Sequence, residues 1–281
     1  MTSPDIVENY KNSVFQHGPM NDRVYLMKVC VDDCPAVLDH VEELAARRGY
    51  SKIFAKIPQR LRDDLLGRGY VLEASVPGFF AGRETGDFVC KYLDPERAID
   101  TRAQEERKVL DIAMGKKNSP ARPLPAGFRI DRCGERHIEK MAAIYAKVFK
   151  SYPFPIDSPE YLLETMRTHV AYFGCWVGSD LVALSSAEMD HDACNAEMTD
   201  FATLDEHRGL GLATSLLAEM EKTMPAEGIA CAYTIARSCS IGMNATFART
   251  NYEFGGKLVN NTNIAGRFES MNVWYKLLGS Q

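Results

Sequence analysis

Glu197-Met-Thr-Asp-Phe-Ala-Thr-Leu-Asp-Glu-His-Arg208-Gly-Leu-Gly211-Leu-Ala213 is the stretch whose reading decides the fold. Its first half reads as a strand and its middle as a short polar turn. Arg208-Gly-Leu-Gly211-Leu-Ala213 then opens an amphipathic helix whose apolar face is Leu212, Leu216, Leu217 and Met220. Gly209 and Gly211 let a ligand approach the backbone closely, and the free N–H groups with the helix dipole make an anion site that suits a diphosphate. The glycines alone are weak evidence, since a tight strand-to-helix turn needs them anyway. Two other phosphate loops are excluded: no Gly-x-x-x-x-Gly-Lys-Ser/Thr occurs, and Gly209-Leu-Gly211 lacks a third glycine and follows a polar turn.

Strands and helices alternate on both sides. Downstream come a strand at 230–236, a helix at 241–250 and strands near 253–262 and 269–277. Upstream lie a strand at 128–132, a helix face traced by Ile138, Met141, Ala142, Tyr145, Val148 and Phe149, a helix at 159–168 and strands near 169–177 and 181–189. This argues an α/β (or α+β) domain over 128–281. Pro120, Pro123 and Pro125 mark 115–127 as a linker or exposed crossing. Residues 1–114 read as a smaller α/β domain of unassigned role. It has a strand over 22–31, a helix carrying Val37, Leu38, Val41, Leu44 and Ala45, a strand at 51–57, a helix at 59–68 and two strands over 71–92 broken at Pro77-Gly78 and Gly86. A charged, solvated helix at 95–114 follows. Arg68-Gly69-Tyr70, Ala81-Gly82-Arg83 and Val89-Cys-Lys-Tyr-Leu93 echo Arg249-Thr-Asn251-Tyr252, Ala265-Gly266-Arg267 and Val273-Trp-Tyr-Lys-Leu277. The echo is weak, and coincidence stands beside a second reading, in which the first half is a degenerate copy that kept the packing and lost the chemistry.

Composition sets outer limits. The 281 residues are 46% hydrophobic and 25% charged with a formal charge of −5, which excludes fibrous and disordered classes and leaves no basic field for nucleic acid or an anionic membrane. Eight scattered cysteines without a CxxC pair read as reduced thiols of a cytoplasmic protein. Acidic residues near Met1 speak against a signal peptide, and no apolar run approaches the roughly 18 residues of a membrane span. The six histidines form no spaced ligand cluster, so no metal is expected. The sequence leaves a homodimer open.

The Arg208 to Ala213 motif, set after a strand and before a second strand and an asparagine-bearing helix, resembles that of the GNAT superfamily of N-acetyltransferases. The likeness extends in element order over about 128–277. It implies a mixed sheet flanked by helices, with acetyl-CoA as cosubstrate in a cleft between the strands at 195–203 and 230–236. The pantetheine arm would lie along the backbone of Phe201, Ala202 and Thr203, with the pyrophosphate on the amides of Arg208, Gly209, Leu210, Gly211, Leu212, Ala213 and Thr214. Asn244 would contact the cofactor arm. Phe247 falls beside the cofactor where a tyrosine often protonates the leaving thiolate, and phenylalanine cannot donate. Asn251, in place of the family's glycine, tolerates a left-handed conformation. An amine of pKa about 10.4 must lose a proton before it attacks a thioester. Glu197 stands where some members carry a general base. Asp200, on the other face of an ideal strand, and Glu188 or Asp190 compete for that role, and a bulge would change the faces.

The loop Tyr152-Pro-Phe-Pro-Ile156, the hairpin-like end from Gly255 to Lys276 and the extra N-terminal part resemble the β-lysine N-acetyltransferase family in layout. That implies transfer to the ε-amine of β-lysine, giving N6-acetyl-β-lysine, a compatible solute, with a lysine 2,3-aminomutase as partner enzyme. Arg237 and Arg267 are candidates for the substrate carboxylate; Tyr152, Phe154, Asp200 and Glu188 are candidates for the pocket walls and ammonium contacts. Two rivals stand beside this reading: a GNAT acting on another amine, and a non-catalytic acetyl-CoA-binding module.

Overall fold

A computed structural model describes residues 5–120, 122–149, 152 and 154–279; Ala121 of the linker, Pro153 of the 152–156 loop and the first four residues lie outside the described residues. In chain order the elements are β1 (Ile6–Tyr10), β2 (Ser13–Gly18), β3 (Arg23–Lys28), α1 (Ala36–Arg48), β4 (Lys52–Pro58), α2 (Arg62–Gly67), β5 (Val71–Phe80), β6 (Glu84–Tyr92) and α3 (Ala103–Met114). Then follow β7 (Phe128–Arg132), α4 (Ile138–Val148), α5 (Pro159–Thr168), β8 (Val170–Val177), β9 (Asp180–Asp190), β10 (Asn195–Thr203), α6 (Leu212–Thr223), β11 (Cys231–Arg237), α7 (Ile241–Arg249), β12 (Glu253–Ile264) and β13 (Arg267–Leu277).

All thirteen strands form one mixed sheet in the order β1-β2-β3-β4-β6-β5-β12-β13-β11-β10-β9-β8-β7. Read inward from β1 at one end and from β8, next to the edge strand β7, at the other, β1-β2-β3-β4-β6-β5 matches β8-β9-β10-β11-β13-β12. Each run has one parallel pair, β3 with β4 and β10 with β11, bridged by α1 or α6. The sequence echo maps onto this repeat. Gly69 and Asn251 both take left-handed conformations after α2 and α7, and Ala81-Gly82 and Ala265-Gly266 make the same left-handed turn before β6 and β13. The turn between β5 and β6 is therefore at 81–83, whereas Pro77-Gly78 lies inside β5 and Gly86 inside β6. The stretch at 95–114 also differs from its reading. It is a short 3-10 turn and then α3, which buries Glu106, Val109 and Ala113 and packs on α7.

The two runs meet where β5 pairs antiparallel with β12, Gly256 opposite Ala74. Gly256 has φ 145°, and a Cβ there would lie 2.2 Å from the Glu73 carbonyl oxygen, so only glycine lets the backbones close. The buried Glu73 carboxylate ties the seam: it accepts from Lys52 Nζ at 3.3 Å, from the Val259 amide at 3.1 Å and from the Tyr92 hydroxyl. The sheet folds back over the seam, so Tyr25, Phe54, Phe79 and Phe88 of the first run pack on Tyr233, Met271 and Val273 of the second. On its other face the C-terminal run is covered by α6 and α7 through Leu212, Leu216, Leu217, Met220 and Phe247, while α4 and α5 pack beside the first run on the inner face.

Gly256→Ala is expected to lower stability by about 2–4 kcal/mol, roughly 5–10 °C in Tm, because strain and a backbone clash coincide. Gly49→Ala, at φ 70° with open space around it, is expected to cost about 1 kcal/mol. Thermal unfolding of both variants checks the difference.

Candidate active site

β10 and β11 pair only over Asn195–Glu197 and Cys231–Tyr233 and diverge beyond. The edge of Phe201–Thr203 that faces β11 is thereby left open. The exposed turn 205–210 leads from this gap to α6, whose N-cap Gly211 (φ 81°) offers no side-chain cap and whose first turn holds no acidic residue. The amides at the start of α6 can therefore receive an anion. Gly209 is also left-handed at φ 78°. Arg208 is exposed and ion-paired with Asp205 at 2.8 Å, Leu210 is exposed, and Leu212 and Thr214 turn inward. Arg122 of the linker, which the sequence reading passed over, donates to the Gly209 carbonyl at 2.9 Å and adds a second cation here.

A bulge decides the other side. Thr199 pairs with Ser186 and Ala202 with Leu184, so two residues of β10 face one of β9, and Asp200 takes φ 54°. Before the bulge Met198 packs under α6; after it Ala202 packs under α4 and α5. Asp200 therefore lies on the same face as Glu197, not on the opposite one as in an ideal strand. There it accepts from Ser186 Oγ at 2.6 Å and from the Tyr152 hydroxyl. Glu188 of β9 joins the same face. Burial, followed by mutual repulsion, pushes the Glu188 carboxyl well above the usual range. Burial likewise raises Glu197, against the favourable effects of Lys56, the Tyr233 hydroxyl and the Ile235 amide, and raises Asp200 against its hydroxyl donors. Among the described residues no three His, Cys, Asp or Glu side chains are grouped to hold a metal ion.

The remaining expected residues fall unevenly. Asn244 is buried and its amide is fully used. Nδ2 donates to the Arg237 and Ser240 carbonyls at 2.9 and 2.8 Å, and Oδ1 accepts from Asn272 Nδ2 and Trp274 Nε1 at 2.8 and 2.9 Å. With all four bonding positions taken, it holds the corner between β11 and α7 and has nothing left for a cofactor arm. Phe247 is likewise in the core, edge-on beneath Phe201 with ring centroids 5.7 Å apart. Arg237 grips Glu269 with both arms at 2.7 and 2.8 Å, so its fork is occupied, and Arg267 is mostly exposed at 3.8 Å from the same carboxylate. Neither is free in the groove. Tyr152 reaches Asp200, while Phe154 stacks on Tyr161, one side chain further out. Three residues beside the acids escaped the sequence reading: Tyr25 and Lys56 of the N-terminal run, and Tyr233, whose hydroxyl accepts from Lys56 Nζ at 2.9 Å.

A model described as the acetyltransferase (GNAT) family matches residues 138–250. The chain is 40% identical over 266 residues to a beta-lysine N(6)-acetyltransferase of Methanococcus maripaludis, with 95% of this chain and 96% of that protein covered. The chain belongs to the GNAT acetyltransferase family. This acetyltransferase is also 30% identical over 259 residues to a beta-lysine N(6)-acetyltransferase of Methanosarcina mazei, covering 85% and 95%. To the N-acetyltransferase YodP of Bacillus subtilis it is 27% identical over 266 residues, covering 95% and 96%. It is an acetyl-CoA-dependent N-acetyltransferase. Among the described residues no helix is long and apolar enough to cross a membrane.

The raised acids make a linked prediction. A carboxyl raised on folding stabilises the fold below its unfolded pKa, about 4.3 for Glu, and that contribution is lost as pH rises through the folded value. Glu188→Gln is therefore expected to raise the Tm of this acetyltransferase at pH 7.5 by roughly 2–4 °C and to change it little near pH 4.5. Melting curves at the two pH values test the sign.

Proposed function

We propose that the chain transfers the acetyl group of acetyl-CoA to the N6 amine of β-lysine. What carries the reading is that the 40% identity to the M. maripaludis enzyme runs through 95% of the chain, so it includes both the N-terminal run and the acidic groove. The charge pattern supports it. β-Lysine brings two ammonium groups and one carboxylate, and the groove offers Glu188, Glu197 and Asp200 with Lys56 beside them. Three carboxylates that burial pushes toward the neutral state regain their charge most readily opposite a bound dication.

In this reading the open edge of Phe201–Thr203 pairs with the pantetheine arm, and the amides from Arg208 to Thr214, with the Arg208 and Arg122 side chains, hold the pyrophosphate. Acetyl-CoA supplies an acyl group on a good leaving thiolate. Glu197, directly or through water, takes one proton from the N6 ammonium; the freed nitrogen forms the C–N bond as the C–S bond breaks, and the nitrogen's surplus proton passes, directly or through water, to the departing thiolate, so that the neutral amide and the free thiol of CoA result. Glu188 and Asp200, the latter held by Ser186 and Tyr152, keep the second ammonium in place. The product has lost one positive charge and is a zwitterion of zero net charge, suited to accumulation as a solute without a counterion. Eight free cysteines, four of them buried, fit a cytoplasmic enzyme. The division into 1–114, a 115–127 crossing and 128–281 separates the run that lacks the anion loop from the run that carries it.

With purified protein, thiol release from acetyl-CoA is expected to be fastest on β-lysine against α-lysine and spermidine, with one acetyl group on N6 by mass spectrometry and NMR. Preference for spermidine would overturn the assignment. Glu197→Gln is expected to lower kcat/KM for β-lysine about 10²- to 10³-fold while KM for acetyl-CoA stays within a few-fold. In the unmutated enzyme kcat/KM should rise with pH through a limb above the usual carboxylate range, because the base must be ionised and burial raises its pKa. The Gln variant should lack that limb.

A further inference from the structure

Lys56 lies on β4, in the run that has no anion loop, yet its ammonium sits in the groove of the other run. Nζ donates to the Tyr233 hydroxyl at 2.9 Å and lies 5.5 Å and 5.3 Å from the ring centres of Tyr25 and Tyr233. Among the described residues no carboxylate comes within 4.0 Å of it. The cations around it differ in this respect: Lys52 is paired with Glu73, Arg237 with Glu269, and Arg23 donates to the Asn261 carbonyl. The titratable groups that face Lys56 are Glu197 and Glu188 from the C-terminal run, Tyr233 beside them, and Tyr25 from its own run. A half-buried ammonium with aromatic walls and one phenol partner has donors to spare. It is placed for an anion that arrives with the substrate.

We infer that Lys56 binds the carboxylate of the amino-acid substrate, so that the N-terminal run supplies the acid-recognising half of a groove whose amine-recognising half lies on β9 and β10. This rests on the β-lysine reading above. Its consequence is selectivity. The same diamine without a carboxylate, 1,4-diaminopentane, meets three acids but leaves Lys56 unpaired in a partly dry site, and is disfavoured for that reason. The rings of Tyr25 and Tyr233 flank the ammonium.

The test compares Lys56→Met and Lys56→Arg with the unmutated full-length enzyme on β-lysine and on 1,4-diaminopentane, reading kcat, both KM values and the pH profile. The Met variant is expected to raise KM for β-lysine about 30- to 300-fold, with KM for acetyl-CoA and, at pH values above the acid limb, kcat within about 3-fold, and to leave KM for 1,4-diaminopentane within about 3-fold, while the limb itself moves upward because Lys56 favours ionised Glu197. The Arg variant, which keeps the charge, is expected to recover most of the loss. An equal loss on both amines, or a shift of the acid limb with KM for β-lysine unchanged, would overturn the inference and make Lys56 a positioning residue for Glu197. In either case the β-lysine reading stands if the unmutated enzyme acetylates β-lysine; if it does not, that reading fails first and takes this one with it. Unchanged thermal unfolding of both variants excludes misfolding as the cause.

Discussion

The contact between Gly256 and the Glu73–Ala74 backbone is the constraint on which the rest of the architecture depends. It joins β5 to β12, which hold matching places in the two runs, so the repeats meet edge to edge and the sheet folds back on itself. Asn195 Nδ2 donates to the Phe79 carbonyl on one side of the fold, and Arg23, its counterpart at the start of β3, donates to the Asn261 carbonyl on the other. These reciprocal bonds between runs suit a two-fold arrangement, and the aromatic residues of the inner face fill the space between them. Along the sheet four strands separate β4 from β11, and the fold back across the seam brings Lys56 to Tyr233.

The inner face carries opposing demands. Burial disfavours each of the three carboxylates, and no cation among the described residues touches any of them, so the arrangement weakens the folded state at neutral pH. A structural network would satisfy its acids as Glu73 is satisfied, by a lysine, a phenol and a backbone amide together. Glu188 and Asp200 lack such a set, and Glu197, with Lys56, the Tyr233 hydroxyl and the Ile235 amide near it, is still raised by its burial. Perturbed acids in a groove beside a splayed strand pair are what acid–base work on an ammonium requires. The bulge serves both ends: it turns Asp200 toward the groove and ends the regular alternation where the open edge of β10 begins.

Much of this was legible in sequence, for identifiable reasons. The turn at Arg208–Ala213 needs two left-handed glycines and an uncapped helix start, and such backbone demands show in residue type. Strands and helices buried on one face, such as β10 and α4, announced themselves by period. β1 did not, because as an exposed edge strand it carries no buried face, and β2 is buried almost throughout. The bulge at Asp200 had no local marker, since aspartate in a left-handed conformation looks like any aspartate in a strand. Asn244 and Arg237 were misplaced for the opposite reason. Their types suggest ligand contact, but Trp274, Asn272 and Glu269, which satisfy them, come from β13 and meet them only after folding.

Lys56 was the least legible residue, and the repeat explains why it is where it is. Aligning the parallel pairs, in which Arg23 faces Lys52 and Asn195 faces Cys231, puts Tyr25 at the place of Glu197 and Phe54 at the place of Tyr233. The turn before α1 carries Asp32 and Asp33 where the other run has Arg208 and its glycines, and Asp33 is spent on Ser13 Oγ at 2.7 Å and the Asn12 amide at 3.0 Å. The first run thus has neither the acid nor the anion loop at these places while sharing the strand order. A run that only braced its neighbour could end its inner face in apolar side chains throughout. Instead β4 follows Phe54 on that face with a lysine whose ammonium crosses to the other run. The burial of this ammonium is outweighed by Tyr233, Tyr25 and Glu197, which keep it charged, and if it meets a substrate carboxylate as inferred above, the first run takes a part in choosing which amine enters.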